Sequence, residues 1–228
     1  MRHDDPLAMA VTAALHGGDL TTLRHLLNEN AGLATARIVD EHGGGRTLLH
    51  VLTDWPARRP HGAQSVAALV EAGADVHARF QGSHSETPLH WAASADDVEV
   101  LDALLDAGAD INADGAVIGG GTPLADARAF AQWRAAHRLV ERGAAVTLTD
   151  AATLGLTDRL DALLAGATPE DVNLAFWGAC HGGQRECAER LLALGADVDW
   201  LPPWEPVTPL EAAVRGGFED VAEWLRGR

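Results

Sequence analysis

The chain has 228 residues, with 33 acidic and 17 basic side chains and a formal net charge of −16. A phosphate backbone or an anionic membrane surface would be repelled, so nucleic acid and membrane are excluded as partners, while a cationic protein, peptide or amine is favoured. Two cysteines without metal-ligand spacing imply no disulfide framework and no metal site, and no cofactor is indicated.

All 17 basic residues are arginine and tyrosine is absent, which with the heavy alanine content points to a GC-rich bacterial genome. No run approaches 18 apolar residues and no signal segment opens the chain, so a cytoplasmic location is expected.

In chain order, residues 7–33 read as a worn helix pair, with Ala13-Ala14, Gly17-Gly18-Asp19 and then Leu26-Leu27. Residues 34–46 (ATARIVDEHGGGR) form a projecting loop, and the triple glycine predicts a mobile return limb. Thr47-Leu48-Leu49-His50 opens a second pair over 46–75. It carries five residues more than the next pair, around Pro56-Ala57-Arg58-Arg59-Pro60. Prolines at both ends make this a stiff excursion, with Trp55 at its root.

The clearest stretch is Thr87 to Asn112, TPLHWAASADDVEVLDALLDAGADIN. Thr-Pro suits a helix start, and Leu89, Ala92 and Ala93 share one face. Asp96-Asp97 break that helix. Val98, Leu101, Leu104 and Leu105 then recur at helical spacing, and Gly108 stands where a left-handed cap is wanted. Further copies cover about 122–145, 149–166, 170–197 and 208–228, the last from Thr208-Pro209-Leu210 to Trp224-Leu225. Helices this short cannot bury their apolar faces alone and must stack on copies of themselves.

Thr87 to Thr122 spans 35 positions, close to a period of roughly 33. The TPLHWAA and LLDAGADIN segments closely resemble the ankyrin repeat family, and the resemblance extends over nearly the whole chain. It implies an all-α solenoid of about seven helix-turn-helix repeats in one domain, 1–228, with β-hairpin-like fingers along one edge. It also implies that partners bind the concave surface formed by fingers and first helices. His50 and His90 fall on the TPLH histidine, whose implied role is a hydrogen bond within the repeat.

Against the ten steps that the resemblance implies for a finger, Asp75 to Thr87 and Asp110 to Thr122 each take 12. The long fingers carry Phe80, Val117 and Ile118 at their tips, to be covered either by a neighbouring finger or by a partner. After Gly143-Ala144-Ala145 and after Gly166-Ala167 no room remains for a finger. The next one, Asp197–Val207, holds Trp200, Trp204 and three prolines.

Trp91, Trp133 and Trp224 are read as packing residues. Trp177 occupies the TPLH histidine's slot, while Trp55, Trp200 and Trp204 sit on insertions or fingers. Tryptophan dominates binding hot spots because one ring excludes much water at small entropic cost. The expected function is therefore protein or peptide binding through the concave face and fingers. Trp55, Phe80, Trp177, His181, Trp200 and Trp204 would form the binding set, with a basic partner favoured. The alternative is a small-molecule-binding protein or enzyme with a tryptophan-lined pocket, where His181, His84 and Asp114 would be the polar or acid-base residues. No known catalytic motif supports the enzyme reading.

Overall fold

A threonine caps the first helix of each strongly written repeat. Thr47 and Thr122 accept from the amides of His50 and Ala125. Thr147, Thr168 and Thr208 do the same for Asp150, Asp171 and Glu211, whose carboxylates reach back to the threonine amides at 2.8–3.0 Å. Each such cap is worth about 1 kcal/mol to a helix too short to stand alone. At the far end of second helices, Gly73, Gly108, Gly143 and Gly195 turn the chain at φ of +92° to +96°.

The computed structural model describes residues 1–117 and 119–228, so Ile118 lies outside the described residues. The chain divides into two compact units, Met1–Ala144 and Ala145–Arg228.

The first unit contains α1 (Pro6–Gly17), α2 (Leu20–Glu29), β1 (Arg37–Val39), β2 (Gly45–Thr47), α3 (Leu48–Thr53) and α4 (Gly62–Glu71). It continues with α5 (Pro88–Ser94), α6 (Val98–Asp106), α7 (Pro123–Ala129) and α8 (Trp133–Glu141). First helices stack in the order α1, α3, α5, α7, and second helices in the order α2, α4, α6, α8. Between the layers lie fully buried leucines such as Leu15, Leu49, Leu69, Leu101, Leu124 and Leu139. This is an all-α solenoid in which each helix pair buries its apolar face on the next.

The first finger departs from expectation. Its glycine-rich return limb is held rather than loose: β1 and β2 pair antiparallel, with Ile38 opposite Arg46. Gly45 also exchanges backbone hydrogen bonds of 2.7 and 3.0 Å with Gln81 of the next finger. On the other edge of β1, Val39 donates to the Met1 carbonyl and accepts from His3, both at 2.9 Å.

The excursion after α3 is fixed by charge. Ala57 and Arg58 are left-handed at φ +52° and +51°, a cost of about 1–2 kcal/mol for each non-glycine residue. Two aspartates offset it: the Arg58 amide donates to Asp97 at 2.8 Å and its guanidinium to Asp96 at 2.9 Å. Asp96 also accepts from the Ala135 amide at 2.8 Å, so one carboxylate ties the excursion to the start of α8. The loop's far end needs Gly18, where a Cβ would stand 2.3 Å from the Pro60 carbonyl.

The second unit holds α9 (Leu148–Thr153), α10 (Thr157–Leu163), α11 (Pro169–His181), α12 (Arg185–Ala193), α13 (Pro209–Gly216) and α14 (Glu219–Arg226). Its first helices stack as α9, α11, α13, and α10 packs on α12. Phe176 fills the centre and Trp224 closes the end, their rings 6.5 Å apart. The guanidinium of Arg228 lies 5.0 Å from the Trp224 ring, covering part of an apolar surface. Cys180 and Cys187 are buried free thiols, and burial pushes the Cys180 thiol up to about 12.

Candidate binding surface

The TPLH histidines join each first helix to the following finger. His50 Nδ1 accepts from the Thr47 hydroxyl at 2.8 Å, so its Nε2 carries the proton and donates to the Glu86 carbonyl at 3.1 Å. His90 repeats the pattern, its Nδ1 accepting from the Thr87 amide and its Nε2 donating to the Gly121 carbonyl at 3.3 Å. Burial keeps both rings neutral and pushes His50 down to about 4.

Glu86 is the residue before the third repeat's threonine, and its side chain turns inward. Only 5% of it is exposed, so each oxygen needs a donor. One accepts from the Trp91 indole at 2.7 Å and stands 2.8 Å from His84 Nδ1. The other accepts from the Val117 amide of the third finger at 3.0 Å. His84 stacks on Phe80 with centroids 4.6 Å apart, and Phe80 lies 5.5 Å from Trp91. Phe80 is thus covered by its own finger and by the first helix beside it.

On the inner side of Glu86 is Asp126, from α7, fully buried. Among the described residues no hydrogen-bond donor reaches either of its oxygens, and its nearest ionisable neighbour of like charge is Glu86. Burial, then the Glu86 carboxylate, push Asp126 up to about 8. Asp126 therefore keeps its proton at neutral pH, because a second negative charge beside Glu86 would stand without donor or solvent.

On the outer side of Glu86 a cavity of about 210 Å³ opens to solvent, lined by Trp55, His84, Glu86, Trp91, Ser94 and Phe130. Trp55 stands 81% exposed at its rim. Asp54, also on the wall, is paired with Arg46 at 2.6 Å. The arrangement offers aromatic faces around a carboxylate floor, which suits a cation.

Asp114 stands elsewhere. It pairs with Arg79 at 2.7 Å and accepts from the same guanidinium through its backbone carbonyl, joining the second and third fingers. In the second unit the other candidates gather by themselves. Trp177 is only 4% exposed and donates its indole N–H to the Val207 carbonyl at 2.8 Å. His181, also buried, stacks on Trp177 with centroids 5.2 Å apart. Trp204 meets Trp177 edge-on at 5.8 Å and remains 51% exposed, with Trp200 half-buried beside it at 6.5 Å. Arg215 makes a two-pronged bond to Glu205 on the same finger, at 2.8 and 3.0 Å, and holds that carboxyl below its usual range.

Sequence reasoning missed Asp126. Counting four positions from Thr47, Thr87, Thr122, Thr147, Thr168 and Thr208 gives Val51, Trp91, Asp126, Ala151, Val172 and Ala212. A carboxylate in a column that is otherwise apolar was the available signal.

Residues 10–115 and 56–150 match the ankyrin repeat pattern, described as ankyrin repeats in three copies. The chain belongs to the ankyrin repeat family. Ankyrin repeats are generally protein-interaction modules, and here the excursion after α3 and the Asp197–Val207 finger expose Trp55 and Trp204, aromatic side chains of the kind such contacts use. No curated protein matches the chain. Among the described residues no helix is long and apolar enough to cross a membrane, and no three His, Cys, Asp or Glu side chains converge as a metal cluster.

Proposed function

We propose that this ankyrin-repeat protein is a cytoplasmic interaction module that binds a basic protein or peptide through the concave surface of its first unit. The observation that carries this reading is Trp55, a large apolar side chain 81% exposed at the mouth of a cavity whose floor is the Glu86 carboxylate. An exposed tryptophan over a buried acid loses little entropy on binding and gains desolvation and cation attraction together. The charge of −16 steers cationic partners toward the chain. Trp200 and Trp204 on the last finger offer a second, independent contact patch in the other unit.

Fluorescence anisotropy with labelled peptides of matched length and differing charge tests the reading. Basic peptides should bind, with affinity falling as salt rises, and Trp55→Ala should weaken them. Equal binding of acidic and basic peptides, or indifference to Trp55→Ala, would remove it. The small-molecule alternative has a cavity of suitable chemistry, but its rim is open. The peptide reading uses that openness, whereas a catalytic one would need enclosure.

A further inference from the structure

We infer that the cavity beneath Trp55 takes the guanidinium of a partner's arginine and, in doing so, expels the proton held by the buried, unpartnered Asp126 beside Glu86. The inference rests on the peptide-binding reading and deepens it, naming the group that is recognised and the change that accompanies recognition.

Shape supports the guanidinium. About 210 Å³ accommodates one long side chain. Its walls are flat rings, Trp55, Trp91, His84 and Phe130, against which a planar, weakly hydrated cation stacks better than a compact ammonium. Ser94 and Asp54 add acceptors on the same wall.

The proton follows from burial. Glu86 has its donors, the Trp91 indole on one oxygen and the Val117 amide on the other, with His84 Nδ1 2.8 Å from the first. Asp126 has none among the described residues and is fully buried. It is neutral because a second charge beside Glu86 would stand uncompensated, and a cation bound against Glu86 supplies the compensation. The titratable and charged groups around this pair are His84 on the finger, the neutral His50 on α3 and His90 on α5, and Arg128 on α7 itself, with Asp54 and its partner Arg46 at the cavity wall. Of these, His84 alone stands directly against a Glu86 carboxylate oxygen, at 2.8 Å. Loss of the Asp126 proton leaves the pair with one more negative charge, so arginine binding should tighten as pH rises toward 8.

The test uses N-acetyl-argininamide as probe, with N-acetyl-citrullinamide as its neutral isostere and N-acetyl-lysinamide as the ammonium control. Calorimetry in two buffers of different ionisation enthalpy, at pH 7, reads both affinity and proton release. The expected result is binding of the arginine probe with release of a substantial fraction of one proton. It should be about tenfold weaker for Trp55→Ala, and for lysine weaker than for arginine. Asp126→Asn should bind with no proton released and with affinity flat between pH 6 and 8. Binding of citrulline equal to arginine, a preference for lysine, or proton release unchanged in Asp126→Asn would overturn the inference. If basic peptides bind while the arginine probe does not, the inference fails and the peptide-binding reading stands. If neither binds, both fail.

Discussion

The indole N–H of Trp177 donates to the backbone carbonyl of Val207 at 2.8 Å. Val207 precedes the capping Thr208 as Glu86 precedes Thr87 and Gly121 precedes Thr122, and those two carbonyls accept from His50 and His90. A tryptophan thus performs the histidine's task of holding a finger to its first helix. Trp177→Phe should cost about 1–2 kcal/mol, since a buried carbonyl loses its donor while most packing survives. Trp177→Ala should cost about 3–5 kcal/mol. Urea denaturation measures both, and an unchanged midpoint in Trp177→Phe would show that the hydrogen bond contributes nothing.

Asp126→Asn should gain stability over the parent as pH rises. The folded chain holds Asp126 at about 8 against an ordinary 3.8. Between those values the folded state keeps a proton that the unfolded state has lost. The stability from that proton is fully present below the unfolded value and disappears as pH climbs through the folded one, at up to about 1.4 kcal/mol per pH unit. The difference in urea midpoint between variant and parent should grow from pH 4 to 8 and level off above it. A constant difference would mean that Asp126 is ionised throughout.

His50 acts with the opposite sign. Its ordinary value of 6.5 falls to about 4 on folding, so stability is complete above 6.5 and is lost as pH drops toward 4, again at up to about 1.4 kcal/mol per unit. In the parent this loss is offset by Asp126 over the same range. In Asp126→Asn it should stand uncovered as a decline below pH 6.5, and a flat profile there would contradict the buried neutral ring.

Asp96→Ala should cost about 2–3 kcal/mol, because it leaves the Ala135 amide without an acceptor and unpairs Arg58. Asp54, more exposed and paired only with Arg46, should cost under about 1 kcal/mol when changed to alanine. Urea midpoints of the two variants check the order, and reversed magnitudes would show that the excursion is not anchored where it meets α6 and α8.

The helix pairs are legible in the sequence because their determinants are local: the threonine cap, the proline after it, the left-handed glycine and the leucines at helical spacing. The buried aspartates, Asp96 and Asp97, are visible as helix breakers but not as anchors for Arg58, which stands 38 positions earlier than Asp96. The first finger's glycines read as slack, yet in the fold Gly45 pairs with Gln81 across fingers. The tryptophans stand out by number, but residue type alone does not separate a Trp177 that replaces a histidine from a Trp55 that faces water. Asp126 is hidden because its meaning depends on Glu86, 40 positions away on another repeat.

Recognition through the first unit requires Trp55 and Trp91 to meet the partner while Trp177 and Trp224 do not. Selective nitrogen labelling of tryptophan resolves the indole N–H signals, which can be followed while an arginine-rich peptide is added. The Trp55 and Trp91 signals should move together with a single saturating dependence while Trp177 and Trp224 keep their positions. Saturable binding that leaves Trp55 and Trp91 unmoved would contradict it.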